Sequence, residues 1–291
     1  MGAMRKAGAV VVPALAIGAG VGVVGPVAPA GAQVPLVPTY GDLTGDGIAD
    51  RVVFPNFAGF TCRVTVEPGL AGGGYGPAEN HDYAFPPPVD DASPCPNRGA
   101  IVDLGGDGVN ELVAAWPDSN SCPYGSTEPC PQLLVLRDYE VVQQYYDTNV
   151  TSGGIGTADL DGDGLVDIYR SVGNDEGFFS MLNTPAGELV PGPLEHNCIF
   201  AGNTLVDVNE NGKLDLLVEH DVDCEEFGYA GEGIGVMLDD GTGVVVATGG
   251  RFNGEVTDVN GDGHVDIVAR RESSSVAVIY LGDGLGGFTP K

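Results

Sequence analysis

The stretch 158-ADLDGDGLVDIYRS-171 decides the fold. Oxygen-bearing side chains stand at alternate positions, Asp159, Asp161 and Asp163, with Asp167 behind them and Gly162 and Gly164 between. An apolar, strand-like run follows at once. The design recurs as GDLTGDGIADRVVF, VDLGGDGVNELVAA, VDVNENGKLDLLVE and TDVNGDGHVDIVAR, whose loops begin at Asp42, Asp103, Asp207 and Asp258. Successive loop starts are 61, 56, 48 and 51 residues apart. Recurrence at that period signals a repeat architecture. Oxygen side chains at every second position of a tight loop are the ligand set of a hard cation such as Ca²⁺.

Working outward, each loop runs into a strand such as DIVAR or DLLVE, and a second strand comes later. Examples are Arg63 to Tyr75, Gln132 to Asp138, Ile234 to Gly243 and Val276 to Phe288. Three of these four end in a glycine-rich turn, which is a hairpin signal. A third strand, as in Gly243 to Gly250, is expected to lead to the next acidic loop. Helical periodicity is nearly absent and glycine is abundant, at 47 residues. The chain therefore reads as all-β, with short antiparallel strands joined by tight turns. Such units stacked radially make a β-propeller, which leaves few exposed edges. The long gaps between loops hold two proline- and serine-rich insertions, Pro86 to Asn97 and Pro117 to Pro131, expected as surface loops pinned by disulfides.

The loops, the DIV-type strand and the later LGDG-x-GGF turn resemble the FG-GAP/VCBS repeat family, which includes the propellers of integrin α-subunits. The resemblance covers Asp42 to Phe288. It implies a calcium-binding β-propeller in which loop positions one, three, five and nine bind through side chains and position seven through its carbonyl. Carried over, the third loop supplies Asp159, Asp161, Asp163, the Leu165 carbonyl and Asp167. The fifth supplies Asp258, Asn260, Asp262, the His264 carbonyl and Asp266. The fourth supplies Asp207, Asn209, Asn211, the Lys213 carbonyl and Asp215, with only two carboxylates. The first supplies Asp42, Thr44, Asp46, the Ile48 carbonyl and Asp50. The second departs most. Asp103, Asp107 and the Val109 carbonyl remain, but Gly105 has no side chain at position three and Glu111 replaces aspartate at position nine. An EF-hand is excluded, because position twelve holds Val53, Ala114, Arg170, Val218 and Ala269 where that motif needs a glutamate. Solvated turns are the competing reading. They have no need of three or four acids in register.

Blade number follows from length. The first 32 residues read as a secretory signal peptide: Arg5 and Lys6, an apolar run to Val24, and a small-residue cleavage site at Ala30-Gly31-Ala32. The remaining 259 residues form one domain from Gln33 to Lys291. Five blades take about 52 residues each, whereas seven would leave about 37, below the roughly 40 to 45 of a compact four-stranded blade. Five blades are expected, with six or seven, some repeats degenerate, as the alternative.

Charge narrows the partners. The full chain carries −29, and losing Arg5 and Lys6 makes it −31. Up to five Ca²⁺ would bring that to about −21, so the acidity is largely an ion-binding device. A polyanion of this kind repels nucleic acid and anionic membrane surfaces. No membrane-spanning segment is expected after the signal peptide. All six cysteines lie beyond Gln33, an even count that suggests three disulfides in an exported protein. Fifteen connectivities are open. Nearest neighbours suggest Cys122–Cys130 and Cys198–Cys224, leaving Cys62–Cys95.

Catalytic patterns are lacking. The histidines, His81, His196, His220 and His264, are scattered, and neither His-Glu-x-x-His nor Gly-x-Ser-x-Gly occurs. The cluster Asp221, Asp223, Glu225 and Glu226 reads as a solvated loop, and Trp116 as packing between blades. The expectation is a secreted, monomeric, calcium-binding module for adhesion to a glycan or extracellular protein. A glycan-active hydrolase or lyase, and a structural envelope protein, remain open as alternatives.

Overall fold

The computed structural model describes residues 37–55, 61–84, 95–116, 130–147, 154–171, 178–196, 203–220, 231–274 and 276–291. Among them the protein is all β: five antiparallel sheets of four strands each, and no helix. Each sheet is a meander cut from one continuous stretch of chain. The first holds β1 (Thr39–Gly41), β2 (Asp50–Val53), β3 (Thr61–Glu67) and β4 (Glu79–Ala84). The second holds β5 (Arg98–Asp103), β6 (Asn110–Ala115), β7 (Cys130–Arg137) and β8 (Glu140–Asp147). The third holds β9 (Gly154–Ala158), β10 (Asp167–Ser171), β11 (Phe178–Asn183) and β12 (Leu189–His196). The fourth holds β13 (Asn203–Val206), β14 (Asp215–His220), β15 (Gly233–Met237) and β16 (Gly243–Thr248). The fifth holds β17 (Phe252–Thr257), β18 (Asp266–Arg271), β19 (Ala277–Gly282) and β20 (Phe288–Pro290).

The acidic loops are therefore first-to-second strand connections. Their register is constant: the residue before the loop pairs with position nine, as in Gly41↔Asp50, Ala158↔Asp167, Val206↔Asp215 and Thr257↔Asp266. One expectation is corrected. The third strand of a repeat does not lead to the next loop. After β16 the chain reverses at Gly249, which adopts φ +85°, and the N–H groups of Gly249 and Gly250 both bond the Glu232 carbonyl. A further strand, β17, then begins a new sheet and carries the chain into the fifth loop.

Alternation along the strands builds a core between each pair of consecutive sheets. On β6, Leu112 and Ala114, with Trp116 just beyond, face the first sheet's Val52, Phe54 and Val64, while Val113 and Ala115 face the third sheet's Ile168 and Met181. On β14, Leu216 and Val218 join Phe178 and Leu194, and Leu217 joins Phe252 and Ile267. Trp116 is only 1% exposed, as expected of inter-sheet packing. Burial on both faces of the middle sheets is where most of the apolar stabilisation lies, at about 25 cal/mol per Å². The outward faces of the end sheets are exposed: Tyr40 on the first, and Asn253, Glu255 and Thr257 on the fifth.

Cys62 and Cys95 form a disulfide inside the first of these cores, as the remainder pairing anticipated. Cys122, Cys198, Cys224 and the side chain of Cys130 lie outside the described residues, as do residues 1–36, which include the expected signal peptide of residues 1–32, and the Asp221 to Glu226 cluster.

Polar bonds also link neighbouring sheets. Thr39 donates to the Gly99 carbonyl at 2.7 Å, and the Gly254 N–H donates to Glu219 Oε1 at 2.6 Å. Burial pushes the Glu219 carboxyl from 4.5 up to about 7, with the Gly254 bond opposing and Glu272 assisting. The fold thus holds the neutral acid more readily than the unfolded chain does. That contribution is complete below pH 4.5 and is lost as pH rises through 7. Glu219→Gln keeps the acceptor and removes the charge. It should raise unfolding free energy at pH 8 by at most about 3 kcal/mol and change little at pH 4.5. Urea titrations at both pH values check this, and an equal gain at both would refute it.

Candidate metal centre

The third loop shows the construction. Asp159 accepts from the N–H groups of Gly162 at 2.8 Å and Gly164 at 3.1 Å, so its two oxygens wind the loop around themselves. Asp161 accepts from Asp163 N, and Asp163 from Leu165 N. Gly162 and Gly164 adopt φ +73° and +90°, a region glycine enters without the Cβ penalty. Position four requires this as much as position six. In the fourth loop it is Glu210 that takes φ +58°.

Asp167, at position nine, is fully buried. Its Oδ2 accepts from Leu160 N at 2.7 Å, and its Oδ1 from Asn183 N, also at 2.7 Å, at the end of β11. Position nine therefore ties the loop to two strands of its own sheet. The pattern repeats for Asp50 with Leu43 and Gly69, Asp215 with Val208 and Asp239, and Asp266 with Val259 and Gly282. Burial pushes the Asp167 carboxyl up to about 6 against the pull of its two backbone bonds, with Asp161 and Asp163 adding repulsion. Asp215 is raised to about 6 in the same way, with Asp239 and Asp207 adding repulsion.

Ligand oxygens of Asp159, Asp161 and Asp167 lie within 4.8 Å of one another, the one group of three such acids found this close among the described residues. Asp163 is not in that group; it caps the loop backbone from an exposed position. Three mutually repelling carboxyl groups, one of them buried, form a donor set that fits a hard divalent cation. In the first loop Asp42 gathers the N–H groups of Gly45, Asp46 and Gly47, Asp46 takes Ile48 N, and Thr44 reaches Asp50 with its hydroxyl at 3.4 Å. In the fourth, Asp207 takes Asn211 and Gly212, while Asn209 and Asn211 turn their amide nitrogens to Asp239. Lys213, at position seven, approaches Asp239 at 3.5 Å. In the fifth, Asp258 takes Gly261 and Gly263, and Asn260 and Asp262 bond each other. His264 is exposed to about a third and pairs with Glu210 of the fourth loop at 2.5 Å, which raises the imidazole pKa.

The second loop is built differently. Gly105 donates its N–H to Asn183 Oδ1, and the Asp103 carboxylate takes only Gly108 N, leaving its Oδ1 buried without a hydrogen-bond partner among the described residues. Asp107 takes Val109 N as in the other copies. Glu111 is fully buried, bonded to Leu104 N and to Arg137. Asn183, Asp239 and Arg137 are the side chains that sequence reading did not assign to the loops. Asn183 and Arg137 end a third strand, and Asp239 lies two residues past one.

No family model matches the chain, and no curated protein matches it. A solved structure of the Photorhabdus luminescens Tc holotoxin pore aligns with 86% of this chain and 11% of that one, at 14% identity and a TM-score of 0.30. A likeness that slight carries no argument about fold or role.

Proposed function

We propose that the protein is a calcium-stabilised five-bladed β-propeller that works outside the cell as a binding module for a glycan or protein. The observation that carries the reading is the convergence of Asp159, Asp161 and Asp167 in a loop whose plan recurs in the first, fourth and fifth sheets. The sheets would be blades. Packing the fifth against the first would complete the ring and cover Tyr40 and Val259, which are 56% and 39% exposed. Of the other position-two residues, Leu104, Leu160 and Val208 are far more buried, at 1%, 2% and 1%, while Leu43 is half-buried against the core of the first two sheets.

The Cys62–Cys95 disulfide supports an oxidising, exported setting. Between the first two loops and the β7–β8 turn lies a surface depression of about 320 Å³, lined by residues including Asn110, Arg137 and Tyr139. Polar donors beside an aromatic ring suit a sugar. Calcium, when bound, would order the loops; Asp159, Asp161, Asp167 and their counterparts in the first, fourth and fifth loops would hold it, with Asp163 joining at position five as the repeat resemblance implies. Calcium-dependent retention on immobilised polysaccharides or cell-surface proteins, with calorimetric titration of calcium alone, tests the proposal. Retention that persists unchanged in EDTA, with no calcium heat, would defeat it.

A further inference from the structure

We infer that the second loop carries no metal ion, and that the Arg137 guanidinium is the built-in cation that serves Glu111 instead. This rests on the calcium reading of the other loops. In the first, third, fourth and fifth sheets, Oδ1 of the position-nine aspartate takes a backbone N–H from the end of the third strand, Asn183 or Gly282, or from two residues past it, Gly69 or Asp239. In the second sheet the corresponding position is Asp138, inside a two-residue turn. Arg137 pairs directly with Glu140 there, and Asp138 and Tyr139 both take positive φ, 50° and 63°. The tight turn consumes the residue that would have supplied the donor. Glutamate is one methylene longer than aspartate. It still reaches Leu104 N at 2.9 Å with Oε2, while Oε1 meets both Nε and Nη2 of Arg137 at 2.6 Å. The carboxylate is fully buried, and one charged partner replaces the missing amide.

Position three is closed as well. A Cβ on Gly105 would stand 3.0 Å from Gly187 N and 3.1 Å from its Cα, and Gly105 itself has φ +85°. A ligand side chain there would be strained by that backbone conformation and would crowd Gly187 of the third sheet. What remains for a cation is Asp103, with its partnerless Oδ1, Asp107 and the Val109 carbonyl. Those three donors are two fewer than the five the resemblance assigns to the third loop, and further still from the six to eight oxygens calcium takes.

Two arms test this on the full chain. In calcium calorimetry, Asp107→Asn should keep the wild-type stoichiometry while Asp163→Asn loses one ion. In thermal melts, Arg137→Gln should lower the melting temperature equally in EDTA and in saturating calcium. The paired change Glu111→Gln with Arg137→Gln should recover much of the loss. Loss of one ion in Asp107→Asn, or selective rescue of Arg137→Gln by calcium, would overturn the inference. If Asp163→Asn titrates like wild type, it is the calcium reading that fails, and the EDTA melts still decide whether Glu111 depends on Arg137.

Discussion

Asp167→Ala should lower the unfolding free energy by about 2–4 kcal/mol in EDTA, before any metal is added. Its oxygens are the acceptors for Leu160 N and Asn183 N, and alanine strands both donors in a buried site. Each stranded N–H costs about 1–3 kcal/mol. Relief of the buried charge offsets part of this, so the sign of the pH dependence matters. The carboxyl is raised from 3.8 to about 6, and the native state therefore carries a burden at pH 8 that is absent at pH 4. The loss should be larger at acid pH. Asp163→Ala is the contrast. It is exposed and caps one N–H, so in EDTA it should change little. In calcium it should lose up to about 2.7 kcal/mol at one hundred times the dissociation constant. Chemical denaturation of both variants, with and without calcium, separates the two roles. An Asp167→Ala protein as stable as wild type in EDTA would show that position nine has no role beyond the ion.

Reducing the Cys62–Cys95 bridge should remove about 4 kcal/mol. The closed loop spans 33 residues, and loop-closure entropy of the unfolded chain gives that magnitude. Both cysteines are buried in the core shared by the first two sheets, at 0% and 3% exposure, so the bridge also fixes packing around Val64 and Trp116. Peptide mapping without reductant, followed by melts with and without it, gives the answer. A bridge-containing peptide with no reductant-dependent change would mean the core alone holds the two segments.

Much of this was legible in the chain because the signal was local. Acidic loops, the strand after each, the glycine-rich hairpins and the inward face of Trp116 all follow from residues within about ten positions of one another. The strands that open each sheet were harder to read. In β17, Phe252 and Val256 alternate with Asn253 and Glu255 around Gly254, so half the run is polar and exposed. The double duty of position nine was hidden for another reason: its partners lie 16 residues away at Asn183 and 24 at Asp239. Arg137 lies 26 residues from Glu111. The exchange of aspartate for glutamate there, beside Gly105, was the visible trace of that pairing.

Among the described residues every sheet comes from one uninterrupted stretch of chain, so no backbone ladder there joins the first sheet to the fifth. The described apolar cores each join one sheet to its neighbour, as in a row of dominoes. The second, third and fourth sheets are each clamped by two described cores, while the first and fifth each have one. Opening is then cheapest at the termini and spreads inward. The rim between the fifth and first sheets would behave as an unfastened clasp, able to part without disturbing the interior cores.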